Sequence, residues 1–195
     1  RLTFNATNCN TMVTNSKYSV FNSGTSNNGA TPIVTLTIGE NVTKIPNYAF
    51  RNSPSITHAI AIPNATTNIG TYAFYGAQNS ELTIGTGVTA IGGYAFWNCP
   101  NLATVHFNAT NCTTMVTNSQ YSVFNSGTSN GGATPIVTLT IGSNVTRIPD
   151  YAFRNSPNAI GSLLLPDGLT YLGQYAFDGC SGFLGNLVIP NTVAT

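Results

Sequence analysis

Few residues in this chain could do acid–base, nucleophilic or metal chemistry. Four cysteines, two histidines and five carboxylates stand among 195 residues. A catalytic or metal site needs several such groups converging on one point. His58 and His106 are lone histidines, and both read as exposed polar positions rather than ligands. No cysteine pair has zinc-site spacing. The glycines that follow apolar triplets lack the Gly-Lys-Ser/Thr ending of a phosphate loop. These observations lead to an expectation of no enzymatic activity, no cofactor and no metal.

The remaining chemistry is that of contact. Tyrosines recur at 48, 72, 94, 151 and 175, each followed by Ala-Phe. Three residues beyond each tyrosine stand Arg51, Tyr75, Trp97, Arg154 and Asp178. Aromatic and arginine side chains are favoured anchors at protein interfaces, so Arg51, Tyr75, Trp97 and Arg154 form a candidate contact edge. The tyrosines themselves read first as structural, because each adjoins the apolar Ala-Phe and can bury its ring while its hydroxyl stays wet.

These residues are positioned by a repeated phrase. Leu36-Thr37-Ile38-Gly39 leads through Val42 and Ile45 to Tyr48-Ala49-Phe50, and the pattern returns from Ile60, Leu82, Leu139 and Leu163. Self-similarity at about 22–29 residues marks a solenoid, in which each unit contacts only its neighbours. A longer period overlies it. The stretch from Phe4 to Ser55 recurs from Phe107 to Asn158 at an offset of 103 residues, with few substitutions such as Asn47 to Asp150. Glu40 and Asp150 each face a neutral residue in the other copy, so no duplicated acid marks a catalytic site. The reading is a single solenoid over residues 1–195 with about seven complete units. The opening Arg1-Leu2-Thr3-Phe4 reads as the interior of a strand and suggests a piece of a longer protein.

Side chains alternate along a strand. Thr3, Thr37, Ala61, Thr83, His106, Thr140, Leu164 and Val188 should therefore line one outward stripe, and Thr37, Thr83, His106, Thr140 and Leu164 on it are candidate ligand contacts. The flanking residues, from Leu2/Phe4 through Leu36/Ile38 to Leu163/Leu165 and Leu187/Ile189, should form the core. The Val42-x-x-Ile45-x-x-x-Ala49-Phe50 spacing is helix-like, which predicts about one turn of α- or 3₁₀-helix around each Tyr-Ala-Phe. The expected fold class is an α/β solenoid: stacked short parallel strands with short helical or 3₁₀ turns on the opposite side. The first and fifth units depart from the pattern, with Ser19-Val20-Phe21 and Ser122-Val123-Phe124 in place of Tyr-Ala-Phe. They carry the long polar loops 22–31 and 125–134, which are candidate display loops. Cys9 and Cys112 are copies of one position and Cys99 and Cys180 of another, which favours free thiols used as small apolar groups.

Composition excludes further classes. Six basic and five acidic residues give a net charge of +1, with no basic cluster to grip a nucleic-acid backbone. No apolar run approaches the length of a membrane span, and no signal peptide is visible.

The phrase at its fullest, Leu82-Thr83-Ile84-Gly85 through Val88, Ile91 and Tyr94-Ala95-Phe96 to Cys99, resembles the BspA-type leucine-rich repeat, and the resemblance covers essentially the whole chain. It implies a solenoid on a secreted or surface-anchored protein of a host-associated microbe. It further implies non-enzymatic, extracellular recognition or adhesion through binding of a host or microbial protein. The alternatives are a rigid spacer that presents another domain, or a glycan-binding surface.

Overall fold

The computed structural model describes residues 1–7, 9, 35–115, 122–125 and 135–194. The Leu-Thr-Ile triplets form strands, and their alternation puts leucine and isoleucine inward with threonine outward. One row of short strands contains β1 (Leu2–Phe4), β2 (Leu36–Ile38), β4 (Ile60–Ala61), β6 (Glu81–Ile84), β8 (Thr104–Phe107) and β10 (Thr138–Ile141). Between and after them lie two-residue strands: β3 (Lys44–Ile45), β5 (Asn68–Ile69), β7 (Ala90–Ile91), β9 (Thr114–Met115), β11 (Arg147–Ile148) and β12 (Tyr171–Leu172). All pairing is parallel, with identical repeat positions opposite one another, such as Leu2 with Leu36, Thr83 with His106 and Ile45 with Ile69. The first row comprises a β1–β2 pair and the sheet β4–β6–β8–β10, with β2 beside β4. The second row comprises β3–β5–β7–β9 and, separately, β11–β12.

The core is built as columns. Phe50, Phe74, Phe96, Phe124, Phe153 and Phe177 stack ring on ring at centroid spacings of 5.2 to 5.8 Å. The first five are fully buried, and Phe177 is half-buried. Burying each such ring contributes about 1.5–3 kcal/mol. A second column of Ile45, Ile69, Ile91, Met115 and Ile148 supplies the inward residues of the two-residue strands.

The expected helical turns do not form among the described residues. Instead, the Val42 N–H closes a tight turn onto the Gly39 carbonyl at 3.0 Å, and Ile45 then enters β3. The backbone donors of Tyr48, Phe50 and Asn52 reach the next coil, bonding to the carbonyls of Thr71, Ala73 and Tyr75 at 2.9, 2.7 and 2.6 Å. A helix would turn those donors inward along its own axis. Here the i, i+3 apolar spacing serves a tight turn followed by a strand. Close stacking at the following corner excludes side chains: a Cβ on Gly92 would lie 2.4 Å from the Thr71 backbone nitrogen of the preceding coil.

The expected strands at 163–165 and 187–189 are likewise not formed; near them the described residues have the isolated bridge from Gly161 to Phe183. Leu163 is buried, yet Leu187 and Ile189, expected in the core, are exposed, because no further coil packs over them among the described residues. Loop 22–31, and all of loop 125–134 after Asn125, lie outside the described residues.

Candidate functional site

The repeated corner gives each Tyr-Ala-Phe tyrosine a left-handed backbone. Tyr48, Tyr72, Tyr94, Tyr151 and Tyr175 all have φ between 54° and 59°. For a residue with a Cβ this costs roughly 1–2 kcal/mol. The inter-coil hydrogen bonds and the ring stacking oppose that cost. Ala and Phe then point inward, while the tyrosine ring lies outward over its neighbours.

The result is a ridge. Tyr48 stacks on Tyr72 at 5.4 Å with an 8° interplanar angle, and Tyr72 on Tyr94 at 4.7 Å and 12°. Tyr75 leans on Tyr72 at 5.5 Å, and Trp97 meets Tyr94 edge-on at 4.9 Å. The Arg51 guanidinium carbon lies 4.9 Å from the Tyr72 ring centre, 5.0 Å from Tyr75 and 5.7 Å from Tyr48. Cation–π contacts of this kind contribute about 0.5–2 kcal/mol, more as water is excluded. Burial, with smaller contributions from neighbouring tyrosines and partial opposition from Arg51, pushes the Tyr72 phenol above its ordinary value. Its hydroxyl remains a hydrogen-bond donor at neutral pH.

The ridge is interrupted at the variant coil. Ser122 takes the tyrosine position, and its buried hydroxyl donates to the Ala152 carbonyl at 2.6 Å. Beyond the gap Tyr151 stacks on Tyr175 at 5.3 Å, with Arg154 5.6 and 5.5 Å from the two ring centres. Arg154 Nε also donates to the Asp178 carboxylate at 2.8 Å. The structure thus brings Arg51, Tyr75 and Trp97 into one patch and places Arg154 in another.

The other expected contacts lie on the strand row. Thr37 is exposed beside Thr3 in the β1–β2 pair, whereas Thr83, His106 and Thr140 stand side by side across β6, β8 and β10. His106 Nδ1 lies 2.7 Å from Thr140 Oγ1, and its Nε2 lies 3.5 Å from Glu81 Oε1. Leu164 is 76% exposed and sits outside any strand.

Two features escaped sequence reasoning. Threonines after the first turn form a ladder: the Thr67 hydroxyl donates to the Thr43 carbonyl, Thr89 to Thr67 and Thr113 to Thr89 at 3.1, 3.1 and 3.2 Å. The second feature is a groove of about 380 Å³ walled by Thr113, Met115, Arg147, Asp150, Tyr151 and Tyr171. Within it Arg147 lies 3.6 Å over the Tyr171 ring, and the Tyr171 hydroxyl donates to Asp150 Oδ1 at 2.8 Å. That hydrogen bond, foremost, pushes the Tyr171 phenol above its ordinary value. The sequence signal was a set of differences between the two copies, of which Asn47 to Asp150 changes the charge.

Cys99, Cys112 and Cys180 are free thiols. Burial pushes Cys99 and Cys112 up to about 12 and raises Cys180 as well. Such thiols are neutral at physiological pH and poor nucleophiles. The described residues contain no group of three or more histidine, cysteine or carboxylate side chains able to hold a metal, and no helix long and apolar enough to cross a membrane.

The profile of the BspA type leucine rich repeat region matches six copies, over residues 3–57, 25–158 and 130–195. Among solved structures, a leucine-rich repeat protein from Bacteroides ovatus is similar, with 26% identity and a TM-score of 0.55. The match covers 81% of this chain and 37% of that one. Comparison with curated proteins gives no match.

Proposed function

Because the chain belongs to the BspA-type leucine-rich repeat family, we propose that it is a non-enzymatic recognition module that acts at or outside the cell surface and binds a host or microbial protein. The observation that carries this reading is the ridge of Tyr48, Tyr72 and Tyr94 with Arg51, Tyr75 and Trp97. Its side chains are of the types that dominate binding hot spots. Packing and cation–π contacts order them beforehand, so little side-chain entropy is lost on docking. A spacer has no need of such a patch.

The test is binding of the labelled protein to intact host epithelial cells and to microbial cells, before and after surface proteolysis. Saturable binding that proteolysis abolishes, and that falls by roughly 30-fold in Arg51→Ala and Trp97→Ala as expected for hot-spot truncation, supports the reading. Binding unaffected by both substitutions removes the ridge from the mechanism. Absence of binding to any surface supports the spacer, and binding that resists proteolysis but is lost after glycosidase treatment supports the glycan surface. Protease shaving of the intact source cells tests the location: the chain should be cleaved without lysis.

A further inference from the structure

The two long copies differ at seven positions between Phe4–Ser55 and Phe107–Asn158. Five of those positions in the second copy are described: Thr113, Ser143, Arg147, Asp150 and Asn158. Three of the five, Thr113, Arg147 and Asp150, line the same groove, where the first copy has Asn10, Lys44 and Asn47. A fourth lining residue, Tyr171, stands where the first copy has Asn68. Among the described positions, divergence between the near-identical copies is therefore concentrated at one place. There it replaces a flexible ammonium with a planar guanidinium and adds a carboxylate, a phenol and a second hydroxyl.

The fold explains why a groove exists here. The threonine ladder shifts by three residues in the fifth unit: Thr113 donates to Thr89, but Thr146 donates to the Thr110 carbonyl at 2.7 Å, as Thr43 does to the Thr7 carbonyl in the first copy. Among the described residues the second strand row breaks between β9 and β11, which are linked there by the bridge from Asn111 to Arg147 and the Thr146 bonds to Thr110. The side chains of Arg147, Asp150 and Tyr171 border that break.

The chemistry inside is specific. The Arg147 guanidinium carbon lies 3.6 Å over the Tyr171 ring centre, a contact that restricts its fork. Its Nε is buried without a hydrogen-bond partner, and neither ion pair among the described residues involves it. Asp150, in contrast, is engaged: Oδ1 accepts from the Tyr171 hydroxyl at 2.8 Å and from the Gln174 backbone N–H at 2.9 Å. Asn47 makes the equivalent backbone bond from Thr71 at 2.8 Å, so the change to aspartate keeps the brace and adds charge. A pre-oriented arginine without an anion is matched to a carboxylate, which its planar fork binds through two parallel hydrogen bonds. The carboxylate of Asp150 would disfavour a bare anion but suits a ligand that also presents an N–H. Met115 and Pro149 offer apolar wall for a short methylene stem.

We propose that this groove is a binding site, particular to the second copy, for a glutamate residue of a partner polypeptide, with its side-chain carboxylate on Arg147 and its backbone N–H on Asp150. The proposal deepens the recognition reading by giving one surface a ligand chemistry. It does not depend on the tyrosine ridge, and ridge variants should leave it unchanged.

The experiment is an NMR titration of the isotope-labelled chain with N-acetyl-glutamate N-methylamide, its glutamine counterpart and glucuronate. The expected result is saturable shifts of the Arg147 Nε–H and of the amides around Tyr171, with millimolar affinity and at least fivefold weaker binding of the glutamine compound. The triple variant Arg147→Lys, Asp150→Asn, Tyr171→Asn carries the first copy's own residues, which this fold accommodates, and should abolish the shifts. Arg147→Lys alone should weaken them at least fivefold. Equal response to glutamate and glutamine compounds, shifts that persist in the triple variant, or tighter binding of glucuronate would each overturn the assignment.

Discussion

Tyr75 and Asp178 occupy the same repeat position in the two copies, and they divide one arginine's behaviour into two kinds. In the first copy Arg51 lies within 5.0 Å of the Tyr72 and Tyr75 ring centres. In the second, Arg154 is 5.6 Å from Tyr151, much as Arg51 is 5.7 Å from Tyr48, but it lies 5.5 Å from Tyr175 and donates to Asp178 at 2.8 Å. The first ridge therefore presents a cation over an apolar aromatic surface. The second presents a neutralised pair that is well solvated, of a kind worth at most about 1 kcal/mol. A single substitution within a duplicated scaffold changes whether the repeated arginine lies beside an aromatic ring or a carboxylate. Below the surface the copies share the phenylalanine column, which passes through Phe124 without a break, although the tyrosine column above it is interrupted at Ser122.

The largest effect should come from cutting what the two regions share. Phe96→Ala removes a fully buried ring stacked on both sides, and should cost about 3–5 kcal/mol in chemical denaturation. If the column couples the copies, unfolding stays a single transition; two separated transitions would show that the two regions unfold independently.

Next is the ionisation of the thiols. Cys99 and Cys180 are equivalent positions, one fully buried and one half-exposed at the end of the described stack. A thiol whose folded value is raised to about 12 holds its proton in the fold and loses it in the unfolded chain above about 9. Its contribution is complete below pH 9 and is lost as pH rises toward 12. Near pH 10 the loss is on the order of 1 kcal/mol for each of Cys99 and Cys112. Melting temperature should fall between pH 8 and 10, with a shallower slope in Cys99→Ala. In native protein at pH 8, iodoacetamide should modify Cys180 well before Cys99; equal rates would contradict the burial difference.

Exchanging the partner of the arginine should have an effect of similar or smaller size. Tyr75→Asp should replace the aromatic ring beside Arg51 with a carboxylate, and reduce cell-surface binding by about tenfold, or 1.4 kcal/mol. Asp178→Tyr should leave stability within about 0.5 kcal/mol and raise binding if the second ridge can face the same partner. Unchanged binding in Tyr75→Asp would place the recognition surface elsewhere.

The smallest effect tests the backbone strain. Tyr175→Gly relieves a left-handed residue, worth about 1–2 kcal/mol, and loses one stacking contact worth about 0.5–1.5 kcal/mol. The net change should lie near zero. Tyr72→Gly loses stacking on both sides and the Arg51 contact, and should be destabilising by about 1 kcal/mol or more. Equal melting temperatures for the two variants would refute the account of the ridge.

The sequence by itself determined the stacked architecture, its parallel strands and the inward positions of Leu36, Ile38 and Phe50 and of copies such as Leu82, Ile84 and Phe96. Alternation and a repeat period are local patterns, and the same pattern repeated must stack on itself. It also marked Arg51, Tyr75, Trp97 and Arg154 as one repeated position. It misassigned the corner, because Val42 and Ile45 are three residues apart in both a helix and a turn-plus-strand; only the hydrogen bonds to the next coil, from Tyr48 to Thr71 and Phe50 to Ala73, select the second. Tertiary structure alone decided that Arg51 lies over three rings while Arg154 finds Asp178, and that Leu187 and Ile189 are exposed. It also brought Thr113, Arg147, Asp150 and Tyr171 around one groove. These outcomes depend on which coil lies beside which and on a three-residue slip in the ladder. Both are relations between units distant in sequence, which the pattern within a single unit does not encode.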